Sequence, residues 1–218
     1  MCAGYRKGWI VISGKFIVFE GIDGSGKSTQ MNYLKQWLED TGQRVTLVRE
    51  PGGTELSEKI RQLLLDHRSR DLGARAEALL FSTARSQLVH EVILPALSRG
   101  EVVLCDRYKY STIAYQGYGR ELPLDEVIAT QDFATSRLQP DLKILLDLEV
   151  DEAASRMEDV PADRMESAGK AFQERVRMGY LQLAQAKPAA WLILDATQSA
   201  DVIAEKIRSF VERHFMKE

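Results

Sequence analysis

Five short apolar runs along the chain are rich in β-branched residues and show no strict alternation of apolar and polar positions. This pattern is typical of strands that are buried on both faces of a parallel sheet. Segments with helical spacing separate the runs, and strands that alternate with helices indicate βαβ crossovers. The sequence therefore predicts an α/β fold, a five-stranded parallel sheet with helices on both faces. The predicted strands cover residues 16–20, 44–48, 101–105, 142–148 and 191–195.

Capping residues, glycines and prolines set the bounds of the predicted helices. Gly42 should stop the first helix, and the Thr54 side chain can cap the second. The third is the longest, and Pro95 should bend or end it because proline lacks a backbone N–H. The predicted helices cover residues 27–41, a segment after residue 54, residues 74–97, 124–137 and 167–186, and a segment from residue 199.

Composition narrows the class of protein. A chain of 218 residues with 44% hydrophobic residues can bury one substantial core, so we expect a flexible extension over residues 1–14 and a single domain over residues 15–218. The net charge of −3 argues against nucleic acid or an anionic membrane as a partner. No apolar run approaches the roughly 20 residues of a membrane span. Two scattered cysteines and three histidines predict no disulfide framework or metal cluster, and favour the cytoplasm.

Residues 21–28 have the spacing G-x-x-x-x-G-K-S between a predicted strand and a predicted helix. In such a loop, backbone N–H groups and the helix N-terminus point at a phosphate group. Lys27 is expected to contact the β and γ phosphates, and the Ser28 hydroxyl to coordinate Mg²⁺. A glycine-rich structural turn would leave Lys27 unexplained. The predicted nucleotide-binding residues are Gly21, Ile22, Asp23, Gly24, Ser25, Gly26, Lys27, Ser28 and Thr29.

Asp106 ends the third apolar run, where a carboxylate near the metal is expected in proteins with this loop. Asp147 has a similar setting, but we favour Asp106 because Arg107 follows it. A guanidinium at this place can meet a transferring phosphoryl group. The alternative is an Asp–Arg pair that ties the strand to its loop.

Two further pairs of features suggest ligand contacts. Arg49 precedes Pro51 and two glycines, so it can contact a phosphate or belong to a plain surface turn. Phe81 and Arg85 lie one turn apart on the third helix, where the ring can stack on a base and the guanidinium can bond to its edge. A phenylalanine in a helix is more often part of the core, so both interpretations stay open here.

These residues together resemble those of thymidylate kinases, over nearly the whole chain from Lys15. The segments "FIVFEGIDGSGKSTQ", "REPGGT", "LLFSTARSQLV", "DRYKYSTIAYQG", "RLQPDLKILLDL", "DRMES" and "LDATQ" occur in the order and spacing of that family. The resemblance implies a P-loop nucleoside-monophosphate-kinase fold, a homodimer, and transfer of a phosphoryl group from ATP to dTMP with Mg²⁺.

The resemblance also implies roles for single residues. Asp23 stands where the family has an acid near the sugar 3′-hydroxyl of the acceptor. Arg49 and Arg107 stand where arginines hold the acceptor phosphate, and Phe81 and Arg85 where the family contacts thymine. The residues implied to line the base and sugar are Thr112, Tyr115 and Gln116.

One region departs from the family. The resemblance implies a mobile lid, here at about residues 153–166, and members without an arginine in the phosphate loop usually carry several basic residues in it. This lid has Glu158 and Asp159 where another arginine is expected, so either Arg156 or Arg164 should act in transfer, and we favour Arg156. The acidic lid keeps open the alternative of a catalytically weak nucleotide-binding regulator. A kinase of the same fold for another pyrimidine monophosphate, such as dUMP, is a further alternative. A GTP-dependent switch is disfavoured because the chain has no N-K-x-D segment.

Overall fold

The computed structural model of the chain describes residues 13–69, 71–159 and 163–215. Residues 1–12 of the expected extension lie outside the described residues. Five strands form one sheet in the order β2-β3-β1-β4-β5, and every neighbouring pair is parallel. The predicted fold class and all five predicted strands are confirmed. The strands are β1 (Lys15–Glu20), β2 (Val45–Arg49), β3 (Val102–Asp106), β4 (Leu142–Asp147) and β5 (Trp191–Asp195).

The helices lie on both faces of the sheet. Alternate residues of β1 point to opposite faces, as the period of a strand requires. Ile17 packs in the cluster that contains Leu34 and Val176, and Val18 packs in the cluster that contains Leu88. The helices are α1 (Lys27–Asp40), α2 (Glu55–Leu65), α3 (Ala74–Leu88), α4 (Leu94–Ser98), α5 (Lys109–Thr112), α6 (Leu124–Ala134), α7 (Val150–Arg156), α8 (Lys170–Gln185) and α9 (Ala200–Phe215).

The predicted burial of the strands on both faces is found for the inner strands but not for the two edge strands. The inner strands β3, β1 and β4 are buried almost throughout. Leu47 of β2 and Ile193 of β5 are exposed, and each of these strands lies at an edge of the sheet. The expectation of strands buried on both faces is therefore wrong at the two edges of the sheet.

The long third helix is confirmed, but Pro95 does not end it. Residues Val89–Ile93 form a π-helical segment that joins α3 to α4. The backbone N–H of Leu94 donates to the carbonyl of Val89, five residues earlier. Such a wider turn accommodates a proline that can neither donate to the carbonyl four residues earlier nor approach it closely.

Two helical segments were not predicted from the sequence. Residues Lys109–Gly119 form α5 and a π-helical continuation, and α7 covers the start of the expected lid. Both are short, and the first ends in a glycine-rich stretch that suggests a loop. The helix predicted over residues 124–137 ends earlier, at Ala134, because Ser136 and Arg137 adopt positive φ angles. In the part of the chain that the structure describes, no helix is long and apolar enough to cross a membrane.

Candidate active site

The phosphate loop lies between β1 and α1, at the carboxyl end of the central strand. Gly21, Gly24 and Gly26 have φ angles of 138°, 78° and 88°, which side chains with a Cβ rarely adopt. The buried Lys27 Nζ donates to the carbonyls of Gly21 and Ile22 at 3.1 and 3.0 Å. Burial, together with the nearby Arg107, lowers the pKa of the Lys27 ammonium. The loop therefore holds its lysine at the place where α1 presents unpaired N–H groups to an anion.

The pair that the sequence predicts for Mg²⁺ lies beside this loop. Ser28 Oγ is 3.5 Å from Asp106 Oδ2, and Asp106 Oδ1 is a buried oxygen without a hydrogen-bond partner. An oxygen-only pair with a free carboxylate oxygen fits Mg²⁺, which keeps most of its waters and binds few protein ligands. The described residues contain no group of three or more His, Cys, Asp and Glu side chains that could hold a metal ion.

A cavity of about 130 Å³ opens next to the loop and collects most of the residues expected to bind the acceptor. Arg49 does not lie on it. This arginine lines a second cavity, of about 380 Å³, together with Ser28 and Asp106, and pairs with Glu58 at 3.1 Å. The predicted acceptor residues on the first cavity are Asp23, Phe81, Arg107, Thr112, Tyr115 and Gln116.

Asp23 belongs both to the phosphate loop and to this cavity. Its Oδ1 accepts a hydrogen bond of 2.6 Å from Arg107 Nη2, and Lys27 Nζ lies 4.0 Å away. Burial raises the pKa of the Asp23 carboxyl, but Arg107 and Lys27 outweigh it and hold this pKa at about 2. Asp23 is therefore an anion that ties the two cations together between the loop and the cavity.

Arg107 is held from several directions. Its backbone has a φ of 67°, a left-handed conformation that is costly for a residue with a Cβ. Its Nη1 atom donates to Tyr180 Oη at 3.0 Å, and its guanidinium lies 5.1 Å from the centre of the Tyr115 ring. Strained backbone of this kind often marks functional positions. The guanidinium is thus fixed at the boundary between the loop and the cavity.

A buried hydrogen-bond network lies behind Arg107. Ser111 Oγ lies 2.7 Å from Tyr180 Oη and donates to Glu20 Oε2 at 2.6 Å. Burial raises the pKa of the Glu20 carboxyl to about 7, and this outweighs the hydrogen bond from Ser111. The sequence analysis did not identify Glu20, which ends β1.

Replacing Glu20 by glutamine should flatten the pH dependence of stability. The folded pKa of about 7 lies above the ordinary 4.5, so the native chain binds more protons than the unfolded chain between these values. Stability from this group is full below pH 4.5 and is lost as the pH rises through 7. From pH 5 to 8, wild type should lose at least about 1 kcal/mol of unfolding free energy relative to Glu20→Gln. Urea titrations of both proteins measure this, with the exposed Glu126→Gln as control, and parallel curves would contradict it.

Arg85 lies behind the cavity rather than on its lining. Only 1% of it is exposed, and its Nε donates to Glu50 Oε2 at 2.5 Å. The remaining bonds of the guanidinium go to Thr112, Gln131 and the carbonyl of Tyr108. One of its five N–H groups has no partner among these bonds. The role of Arg85 at a base edge stays a prediction, which would use this remaining N–H group.

The two lid arginines have different surroundings. Arg164 Nη1 pairs with the buried Glu77 at 2.7 Å, and its Nε donates to the carbonyl of Leu64. Arg156, the last residue of α7, is partly exposed and donates to Glu152 and to the carbonyl of Ala196. Arg164 is thus committed to buried partners, whereas Arg156 is the more available cation. The catalytic role of Arg156 stays a prediction.

Comparison with known proteins agrees with this arrangement. The sequence model of the family described as thymidylate kinase matches residues 19–207. The chain belongs to the thymidylate kinase family. It is 49% identical over 197 residues to a thymidylate kinase of Desulforudis audaxviator (strain MP104C), covering 90% of this chain and 89% of the relative. It is 47% identical over 199 residues to one of Thermosipho africanus (strain TCF52B), covering 91% and 98%. The family resemblance predicted from the sequence is confirmed.

In this member of the thymidylate kinase family, the cavity beside the phosphate loop is also lined by a cation that was not predicted from the sequence. Arg61 of α2 lines it and donates to the carbonyl of Pro51 at 3.0 Å. Burial, together with the nearby Arg49, lowers the pKa of Arg61. The signal in the sequence is weak, because an arginine between Ile60 and Leu64 resembles one on the exposed edge of an amphipathic helix.

Proposed function

We propose that this protein transfers the γ-phosphoryl group of ATP to dTMP, giving ADP and dTDP for dTTP biosynthesis. The observation that carries the proposal is the pair between Asp23 and Arg107, at 2.6 Å, which joins the phosphate loop to the neighbouring cavity. In a loop that binds only the phosphates of ATP, a carboxylate is unfavourable because like charges repel. A nucleotide kinase, in contrast, needs a group in this loop that faces the second nucleotide. The names of the relatives, all thymidylate kinases, support dTMP as that nucleotide.

Phosphoryl transfer depends on positioning and on neutralising charge rather than on covalent chemistry. In the proposed complex, Lys27 and the loop hold the β and γ phosphates, and Ser28 and Asp106 hold the metal. When bound, Mg²⁺ neutralises phosphate oxygens of ATP. Arg107 neutralises charge on the transferring group, and Asp23 binds the acceptor sugar.

The remaining residues of the proposed site bind the acceptor. Arg107 and Arg61 contact the acceptor phosphate, and Phe81 provides a stacking surface for the base. Arg49, on the neighbouring cavity, would have to turn away from Glu58 to join the acceptor phosphate. We propose that the lid over residues 153–166 closes on the complex and excludes water, which would otherwise hydrolyse ATP.

A substrate panel tests the proposal. The chain is incubated with Mg·ATP and each of dTMP, dUMP, dCMP, AMP and GMP, and diphosphate formation is followed. We expect dTMP to give the highest kcat/KM. If another pyrimidine monophosphate is phosphorylated and dTMP is not, that nucleotide rather than dTMP is the substrate. No turnover of any monophosphate would favour the nucleotide-binding regulator.

We also propose a cytoplasmic homodimer, as the resemblance implies. Leu79 of α3 is 56% exposed, and on the adjoining α6 Ile128 and Phe133 are 41% and 88% exposed. Exposed apolar side chains on neighbouring helices are typical of an interface. Light scattering should give twice the 24.6 kDa of one chain, and Leu79→Glu should shift the mass toward the monomer. A wild-type mass of one chain at micromolar concentration would contradict the dimer.

A further inference from the structure

Glu77 is a fully buried carboxylate on α3, one turn before Phe81. Its oxygens accept hydrogen bonds from Gln116 Nε2 at 2.9 Å and from Arg120 Nε and Nη2 at 3.2 Å each. Arg164 Nη1 adds an ion pair at 2.7 Å. Two guanidinium groups thus compensate the buried charge and fix the carboxylate in place.

This carboxylate decides which way the Gln116 amide points. A side-chain amide has one donor end, Nε2, and one acceptor end, Oε1, and an ionised carboxylate only accepts hydrogen bonds. Turning the amide over would place Oε1 against a carboxylate oxygen, where Oε1 would be a buried acceptor without a donor. The amino group of Gln116 therefore faces Glu77, and Oε1 is the amide atom left for the cavity that Gln116 lines.

A fixed acceptor in this cavity distinguishes between pyrimidines. Thymine carries a donor, N3–H, at the edge where cytosine carries an acceptor, N3. Phe81 and Thr112 line the same cavity as Gln116. We infer that Glu77 is a positioning residue that sets base specificity, by holding the Gln116 amide with its oxygen toward the N3–H group of the acceptor base. This inference rests on the proposed function.

The wild-type chain provides a first test with matched substrates. The pair dTMP and 5-methyl-dCMP differs at the base positions 3 and 4 and shares the methyl group, the sugar and the phosphate. With Mg·ATP, we expect kcat/KM for dTMP to exceed that for 5-methyl-dCMP by about 100-fold or more, since a buried acceptor that faces an acceptor stays unpaired. Equal use of both nucleotides would overturn the inference and leave the proposed function standing. If dTMP itself does not react, the proposed function and this inference both fail.

The variant Glu77→Gln tests the positioning itself. A neutral amide at residue 77 can donate to Gln116 Oε1, so the Gln116 amide is free to turn its amino group toward the base. We expect the preference for dTMP over 5-methyl-dCMP to fall at least tenfold, mainly through a higher KM for dTMP, while kcat for dTMP changes only a few-fold. A merely structural role would lower kcat/KM for both nucleotides alike, and an unchanged preference would overturn the inference.

Three further variants complete the test. Gln116→Met removes the amide, so its preference should fall as in Glu77→Gln, and adding Glu77→Gln to it should change the preference no further. If Glu77→Gln does not fold, Gln116→Met decides alone, and a retained preference overturns the inference. Glu126→Gln, an exposed carboxylate on α6 paired with Arg75, is the matched control and should keep the wild-type preference.

Discussion

Replacing Lys27 by alanine should lower the rate of dTDP formation by about 10³-fold or more. The Lys27 ammonium is buried, and Gly21 and Ile22 hold it with two carbonyl contacts near 3 Å inside the phosphate loop. Among the described residues, no lysine from outside this loop lines the cavities beside it. Without this charge, the phosphates of ATP lose a cation that moves with the transferring group. Single-turnover measurements with saturating Mg·ATP and dTMP give the rate directly.

The matched control for this substitution is Lys59→Ala. Lys59 is an exposed lysine of α2 that pairs with Glu55 four residues earlier, and exposed pairs of this kind contribute little. We expect Lys59→Ala to keep the wild-type rate. A Lys27→Ala variant that folds and retains wild-type transfer would contradict the assignment of residues 21–28 to the donor phosphates.

The sheet and the phosphate loop were predictable because their signals are local. Each strand is a contiguous apolar run, and the loop is a contiguous motif between a strand and a helix. The π-helical segments are less accessible to prediction, since they depend on how a whole helix packs. At Pro95 the sequence predicted a bend or an end, whereas one wider turn keeps the helix continuous.

The supporting residues of the site escaped prediction for a different reason. Glu20, Glu77 and Tyr180 come from three separate elements, and their roles depend on contacts that span 39 to 91 residues of sequence. A glutamate in an amphipathic helix is ordinarily exposed, and only the fold shows that Glu77 is fully buried and paired with Arg164. Arg61 was not predicted for the same reason, because an arginine in an amphipathic helix is also ordinarily exposed. The sequence thus suggested candidate groups for nucleotide contact, but it did not identify the buried groups that orient them.

Asp23, the carboxylate in the phosphate loop, is expected to contact a nucleotide and also orients other side chains. A negative charge would weaken a loop that binds triphosphate alone, because like charges repel. Here Arg107 neutralises Asp23, and Lys27 lies within 4.0 Å on the other side. The net charge of this group of three side chains is positive. Asp23 therefore positions two cations without making the site unfavourable for phosphate.

Removing either member of the pair between Asp23 and Arg107 should abolish transfer. We expect Asp23→Ala and Arg107→Ala each to lower kcat/KM for dTMP by about 10³-fold or more. The double variant should lose little more than the worse single variant, because groups that act as a unit are not additive. Asp23→Ala should also keep the affinity for ATP within about threefold, since Lys27 and the loop backbone are unchanged.

Steady-state kinetics with dTMP give the first three values, and calorimetric titration with a non-hydrolysable ATP analogue gives the affinity. Arg68→Ala is the matched control, because the Arg68 side chain is 92% exposed and does not line either cavity. Losses that multiply in the double variant would show that the two residues act independently. A large loss of ATP affinity in Asp23→Ala would instead assign this carboxylate to binding of the donor nucleotide. The measurements therefore distinguish a residue that faces the second nucleotide from one that only shapes the phosphate loop.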